Sequence, residues 1–342
     1  MKYSVIIPVY NRPDEVGELL ESLTKQTFSD FEVLVVEDGS RKLCDDVVGK
    51  FADRLNVRYF YKENSGPGQT RNYGAERAEG EYLIILDSDC VLPEGYLDII
   101  GNQLATTPVD AFGGPDRAHP DFTDTQKAIN YAMTSFFTTG GIRGGRKKLD
   151  EFYPRSFNMG IRRDVYRKLG GFSNIRFGED IDLSLRIFEA GYRCSLFSGA
   201  WVWHKRRTDL KKFFKQVHNS GIARINLMKR HPGSLKIVHM LPAAFTVGVV
   251  ICLLTAVIGL LFIISGHSPL LMLVAVSPPL FFSVLIFIDA SIKERSVKVG
   301  MESVAASCVQ LIGYGSGFLR AFYERCILGH GEFEAFKTNF YK

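Results

Sequence analysis

The chain has 342 residues, 46% of them apolar, and a formal net charge of +5. That length and composition permit a large core and exclude a disordered or low-complexity protein, while the mild total charge says less than its local clustering. Six cysteines, at 44, 90, 194, 252, 308 and 326, show no paired metal-ligand spacing, which argues against a disulfide framework or a zinc site.

The chain opens on a strand-like run, Tyr3 to Val9, which leaves no room for a charged region and apolar core of a signal peptide, so the first domain is expected in the cytosol. Asn11-Arg12-Pro13-Asp14-Glu15 then starts a helix, with proline in the first turn and acids that complement the dipole. A second strand, Phe31 to Val36, runs into Glu37-Asp38-Gly39-Ser40, and a third is expected from Val57 to Tyr61. Gly66-Pro67-Gly68-Gln69 begins a helix through Glu79. Next comes Tyr82-Leu83-Ile84-Ile85-Leu86, an apolar run that ends in Asp87-Ser88-Asp89. A run of this kind suits a central strand covered on both faces. The alternation predicts a doubly wound, mostly parallel sheet with helices on both faces, which binds ligands beyond its strand ends.

Asp87 and Asp89 alternate in direction on an extended chain, so a bend at Ser88 is needed to aim both at one ion. Two carboxylates with open positions suit Mg²⁺ or Mn²⁺, and the plainer alternative is a solvated acidic turn. Further strands are expected at Val109 to Gly113 and Ser156 to Ile161, with a helix from Asp121 to Phe137 between them. The run Gly140 to Lys148, rich in glycine, arginine and lysine, reads as a basic loop. His204 ends the strand-like run Ser198 to Trp203.

Lys205, Arg206, Arg207, Lys211, Lys212 and Lys215 then face a single acid, Asp209. Diphosphate binding, attraction to anionic headgroups and a solvated helix face compete to explain them. Nucleic-acid binding is not expected, because no base-reading module is present. From Met240 to Ile264 there is no charged residue, and as a helix this stretch would run roughly 37 Å against a hydrocarbon core of about 30 Å. Pro269 to Ile288 is uncharged too, with Pro278-Pro279 expected to kink it. Lys229, Arg230 and Lys236 precede the pair and Lys293, Arg295 and Lys298 follow it, so both flanks are expected in the cytosol and the pair forms a hairpin. Gly300 to Phe322 carries Ser303, Ser307, Gln310, Tyr314 and Gly317 on one stripe, which predicts an amphipathic helix on the membrane surface or a third span.

Taken together, Val5 to Asn11, Val35 to Ser40, Gly68-Gln69-Thr70-Arg71-Asn72, Asp87-Ser88-Asp89 and Gly178-Glu179-Asp180 resemble family 2 glycosyltransferases in order and spacing, over about residues 3–204. The resemblance implies a GT-A fold and an inverting, metal-dependent enzyme that moves a sugar from a nucleotide diphosphate donor, UDP- or GDP-linked, to an acceptor. It places Pro8, Tyr10, Asn11, Asp38, Arg71, Asp87 and Ser88 at the nucleotide sugar. It gives Asp89, with Asp87 and His204, to Mn²⁺ or Mg²⁺. Asp180 is the matching general base and Glu179 an orienting or acceptor-binding group. Gln216 is followed by Val217-His218-Asn219-Ser220, where processive synthases carry Gln-x-x-Arg-Trp, so a processive polymerase is not expected.

The expected organisation is a GT-A domain at 1–205, a basic juxtamembrane helical linker at 206–238, two membrane helices at 239–289, and an interfacial or third spanning helix with a cytosolic tail at 290–342. The expected function is transfer of one sugar to a lipid or lipid-linked saccharide at the cytosolic face of a membrane, the bacterial inner membrane being the expected location. Two alternatives stand beside it: a polyprenyl-phosphate glycosyltransferase like dolichol-phosphate-mannose synthase, and an inactive nucleotide-sugar-binding membrane protein.

Overall fold

The computed structural model describes residues 1–117, 119, 121–140, 152–175, 177–205 and 208–332. The chain divides into two compact units. In chain order the first unit begins with β1 (Tyr3–Val9), α1 (Pro13–Thr24), β2 (Phe31–Asp38), α2 (Asp45–Gly49), β3 (Val57–Lys62), α3 (Pro67–Arg77) and β4 (Tyr82–Leu86). It continues through β5 (Cys90–Val91), α4 (Tyr96–Thr106), β6 (Ala111–Gly113) and β7 (Asp116–Arg117). The chain then leaves for α5 (Asp124–Thr134) and α6 (Phe136–Thr139) of the second unit. It returns to the first for β8 (Asn158–Arg162), α7 (Arg163–Lys168), α8 (Glu179–Glu189), β9 (Cys194–Leu196) and β10 (Val202–His204).

Seven strands form one sheet in the order β3-β2-β1-β4-β8-β6-β9. Strands β1 to β4 are parallel to their neighbours in that order, and β8 runs antiparallel to both β4 and β6. Leu83, Ile84, Ile85 and Leu86 are fully buried. Each contributes about 1.5–3 kcal/mol by leaving water, which is why the run has no polar alternation. Residues of alternating parity go to two cores, Ile84 and Leu86 to one and Leu83 and Ile85 to the other. Chain order reverses on either side of β1, so the carboxyl ends of β1 and β4 open the crevice where such sheets take ligands. A second sheet, β5-β10-β7, sits just beyond β4 in sequence and carries His204.

The second unit is helical. It contains α5, α6, α9 (Leu210–Arg230), α10 (Ile237–Ile264), α11 (Leu270–Glu294) and α12 (Val297–Phe322). Its make-up corrects the expected division in three places. Residues 121–137, expected within the first domain, supply α5 and α6 to the helical unit. The expected helical linker does form a helix, α9, but packs into the helical unit, burying Phe213, Val217, Gly221, Ile222 and Ile225. The stripe expected at a bilayer surface is an internal packing face, because Ser303, Ser307, Gly313, Gly315 and Gly317 of α12 are buried. A Cβ on Gly317 would overlap the His218 carbonyl oxygen of α9, and one on Gly315 the Pro242 carbonyl oxygen of α10. Backbones this close exclude any larger residue. The basic loop read from Gly140 to Lys148 lies, beyond Gly140, outside the described residues, as do Arg206 and Arg207.

Helices α10 and α11 are long and apolar enough to cross a bilayer, and only 6% and 11% of their most apolar stretches are buried within the chain. Ile264 is 74% exposed and Phe281 71%. Their length, composition and exposure fit helices that cross a membrane.

Candidate active site

Three ion-paired groups line the carboxyl ends of β1 and β4 and the start of α8. The first begins at Asp89. The antiparallel pairing of β5 with β10 sets His204 opposite Cys90, so that His204 Nε2 stands 3.2 Å from Asp89 Oδ1. The Arg12 guanidinium holds the other oxygen, Oδ2. Burial pushes the Asp89 carboxyl upward, but His204 and Arg12 outweigh it and hold the group well below the usual carboxylate range. Phe157 stacks on the His204 ring at 4.9 Å and fixes its plane.

Asp89, Cys90 and His204 present ligand atoms within 4.8 Å of one another. Two donors at right angles about an ion roughly 2.1 Å away stand about 3.0 Å apart, close to the Asp89 to His204 separation. A carboxylate with an imidazole also suits Mn²⁺ or Mg²⁺ in kind. Cys90 fits less well. Burial pushes its thiol well above its ordinary value and the Sγ donates to the Phe157 carbonyl at 3.4 Å, so it stays protonated. Asp87 is not brought into this cluster among the described residues.

Asp87 belongs to the second group. Arg71 of α3 is 3% exposed and donates to Asp87 Oδ1 at 2.7 Å and to Glu179 Oε1 at 3.2 Å. It therefore ties the end of β4 to the start of α8. Burial, opposed by Arg71 and reinforced by the neighbouring Asp180 charge, pushes the Glu179 carboxyl from its ordinary 4.5 up to about 7. Gly178 caps α8 at φ 82, a left-handed conformation that glycine adopts without strain, and so turns both acids into the helix N-terminus. The third group is Asp180 with Arg155, whose Nε lies 2.7 Å from Oδ2. The Asp180 charge is felt at Arg71 and that of Asp87 at Arg12, so the three groups share one field.

A raised folded pKa sets a sign. The native state holds the Glu179 proton more tightly than the unfolded chain, so its contribution to stability is complete below about pH 4.5 and is lost as pH rises through about 7. Glu179→Gln keeps the neutral form at every pH. Thermal melts of the variant are expected to match wild type near pH 5 and to lie above it at pH 8. Parallel pH profiles for the two proteins would show that Glu179 is not held protonated.

The remaining expected residues are placed differently from one another. Asp38 is 1% exposed and its carboxylate accepts from Lys62 Nζ at 2.7 Å and from the backbone N–H groups of Ser65 and Gly66 at 2.9 Å each. It thereby shapes the turn that starts α3. Asn11, at φ 55, accepts from the backbone of Arg41 and Lys42 and clamps the β1 and β2 ends together. Pro8 pairs with Val36 inside the sheet, Tyr10 is half-buried just after β1, and Ser88 is buried between the two acids.

Sequence reading missed Arg12, Arg155 and Lys62. Only Arg12 left a signal: a cation at the N-cap of α1 opposes the helix dipole, and that makes sense when a carboxylate faces it.

Mannosyltransferase PcManGT from Pyrobaculum calidifontis, solved in complex with GDP-Man and Mn²⁺, superposes with a TM-score of 0.59 at 15% identity, covering 95% of this chain and 88% of that one. The fold is therefore GT-A. Residues 4–170 match the family model of Glycosyl transferase family 2, and the domain they form belongs to that family. Glycosyltransferase AglE of Haloferax volcanii is 30% identical over 195 residues, 55% of this chain and 62% of that protein. An uncharacterized glycosyltransferase of Haemophilus influenzae is 44% identical over 194 residues, 54% of this chain and 62% of that one. The chain thus spans less than two thirds of either relative.

Proposed function

We propose that the protein is a membrane-anchored inverting glycosyltransferase that moves one sugar from a UDP- or GDP-sugar to a lipid or lipid-linked saccharide. The observation that carries the reading is the convergence of Asp89 with His204 and of Glu179 with Asp180 on the crevice at the ends of β1 and β4. In this reading Asp89 and His204 hold Mn²⁺ or Mg²⁺, which when bound would neutralise charge developing on the leaving diphosphate. Arg71 fixes Asp87 and Glu179 so that the floor of the site does not move. Asp180 takes the proton of the attacking hydroxyl. Pro8, Tyr10, Asn11 and Ser88 line the nucleotide side. Asp38 contributes by holding the Ser65-Gly66 turn there rather than through a free carboxylate.

The exposed apolar faces of α10 and α11 support a lipid-borne acceptor. Seated in a bilayer, they would keep the enzyme on a lipid surface. The basic flanks of the hairpin support a cytosolic side for both its ends and for the catalytic domain, at the inner membrane if the source is a bacterium. The protein is expected to stay in the membrane pellet through an alkaline carbonate wash; release into the supernatant would remove the anchor from the reading.

The direct test is turnover. Purified protein with Mn²⁺ and a panel of UDP- and GDP-sugars is expected to release nucleoside diphosphate from one donor. No release from any donor, with donors still protecting against heat, would instead support an inactive nucleotide-sugar-binding protein. A polyprenyl phosphate acceptor is already ionised and needs no base, so turnover on such an acceptor that survives Asp180→Asn would support that alternative.

A further inference from the structure

Glu179 and Asp180 are adjacent at the start of α8 but receive different counter-ions. The Arg71 side chain that serves Glu179 is 4% exposed and built into the floor. The Arg155 side chain that serves Asp180 is 35% exposed and reaches solvent. Arg155 Nε lies 2.7 Å from Asp180 Oδ2, and the other oxygen, Oδ1, accepts the Ile181 N–H at 2.9 Å. Each oxygen thus holds one of the two donors it can accept.

A hydroxyl that is to lose its proton must come within about 2.6–3.2 Å of one of those oxygens. Arg155 competes with the hydroxyl for that shell at Oδ2. Drawing Arg155 away opens Oδ2 fully to the hydroxyl. A neutral hydroxyl offers a guanidinium nothing comparable to a carboxylate, whereas phosphate oxygens match its fork.

We propose that Arg155 recognises a phosphate carried by the acceptor beside the reacting hydroxyl, and that its passage from Asp180 to that phosphate frees the base. The proposal rests on Asp180 being the base, and it narrows the acceptor class to phosphate-bearing alcohols, soluble or lipid-borne. Until such an acceptor arrives, the ion pair keeps Asp180 from activating water, so the donor is spared hydrolysis. In the transfer step the bond from the anomeric carbon to the diphosphate oxygen breaks and a bond to the acceptor oxygen forms. The hydroxyl proton passes to Asp180, and the nucleoside diphosphate leaves with the bonding electron pair.

The test uses the full chain in detergent and glycerol 3-phosphate as the probe, titrated by calorimetry into wild type, Arg155→Gln and Arg155→Lys. Wild type is expected to bind it, the glutamine variant at least tenfold more weakly, and the lysine variant between the two. Equal affinity in wild type and Arg155→Gln, or no binding to wild type, overturns the proposal whatever the turnover. Lysophosphatidic acid presents the same glycerol phosphate on a lipid. Tighter binding than the soluble probe, still dependent on Arg155, identifies a lipid-borne phosphate, and equal binding identifies a soluble one. In the absence of acceptor, Arg155→Gln is expected to release nucleoside diphosphate from the donor several-fold faster than wild type. The base assignment fails separately, when adding Asp180→Asn to Arg155→Gln leaves donor hydrolysis as fast as in Arg155→Gln alone while the phosphate probe still depends on Arg155. Thermal melts of Arg155→Gln and Arg155→Lys that match wild type establish that the altered proteins are folded.

Discussion

Asp180→Asn is expected to lower sugar transfer to a hydroxyl acceptor by about 10²–10⁴-fold, the usual worth of a positioned general base, with donor affinity unchanged. Asparagine keeps the shape and still accepts from the Ile181 N–H, but it cannot take a proton. The Arg155 side chain that loses its partner is one-third exposed, so water takes over and stability is expected to change by no more than about 1 kcal/mol. Loss of kcat without loss of fold or donor binding is therefore the signature. It is read by single-turnover transfer and by donor protection against heating. A variant that turns over at the wild-type rate would remove Asp180 from the chemistry.

Arg71→Met is the second large effect, and it falls on stability. Arg71 is buried between Asp87 and Glu179 and also lies over the Phe172 ring at 5.3 Å. Methionine fills similar space and leaves two carboxylates without their shared cation. Breaking a buried pair in this way costs about 3–5 kcal/mol. Because Glu179 takes up a proton at about pH 7, part of the loss is relieved in acid. The variant is expected to unfold at much lower denaturant than wild type at pH 8 and to recover part of the difference at pH 5.5. A loss below about 1 kcal/mol at pH 8 would mean that water, not the ion pair, solvates these acids. Arg71→Lys should fall between, since one ammonium cannot serve both partners with the geometry of a fork.

The parallel half of the sheet was legible because its signal is local. A run such as Leu83 to Leu86 must be buried on both sides, and the turns at Asn11, Gly39 and Gly66 mark where the strands hand over to helices. The small sheet was not legible. Strands β5 and β7 have two residues each, too short for any period, and they exist only because β10 lies between them. The helical unit misled for a related reason. The stripe from Ser303 to Gly317 has the same pattern whether it faces headgroups or another helix, and only the approach of α9 and α10 decides between them.

Residue types and order alone determined the class of fold, the two acids beyond β4, the acid pair opening α8 and the two apolar helices, because each is written in a short stretch whose chemistry has few uses. Which charge answers which was decided only by tertiary structure. Arg12 meets Asp89 across 77 positions and Arg71 meets Glu179 across 108. The composition fixes how many cations there are, but partner choice in a buried site depends on distance and desolvation, and these exist only once the strands and helices have been brought together.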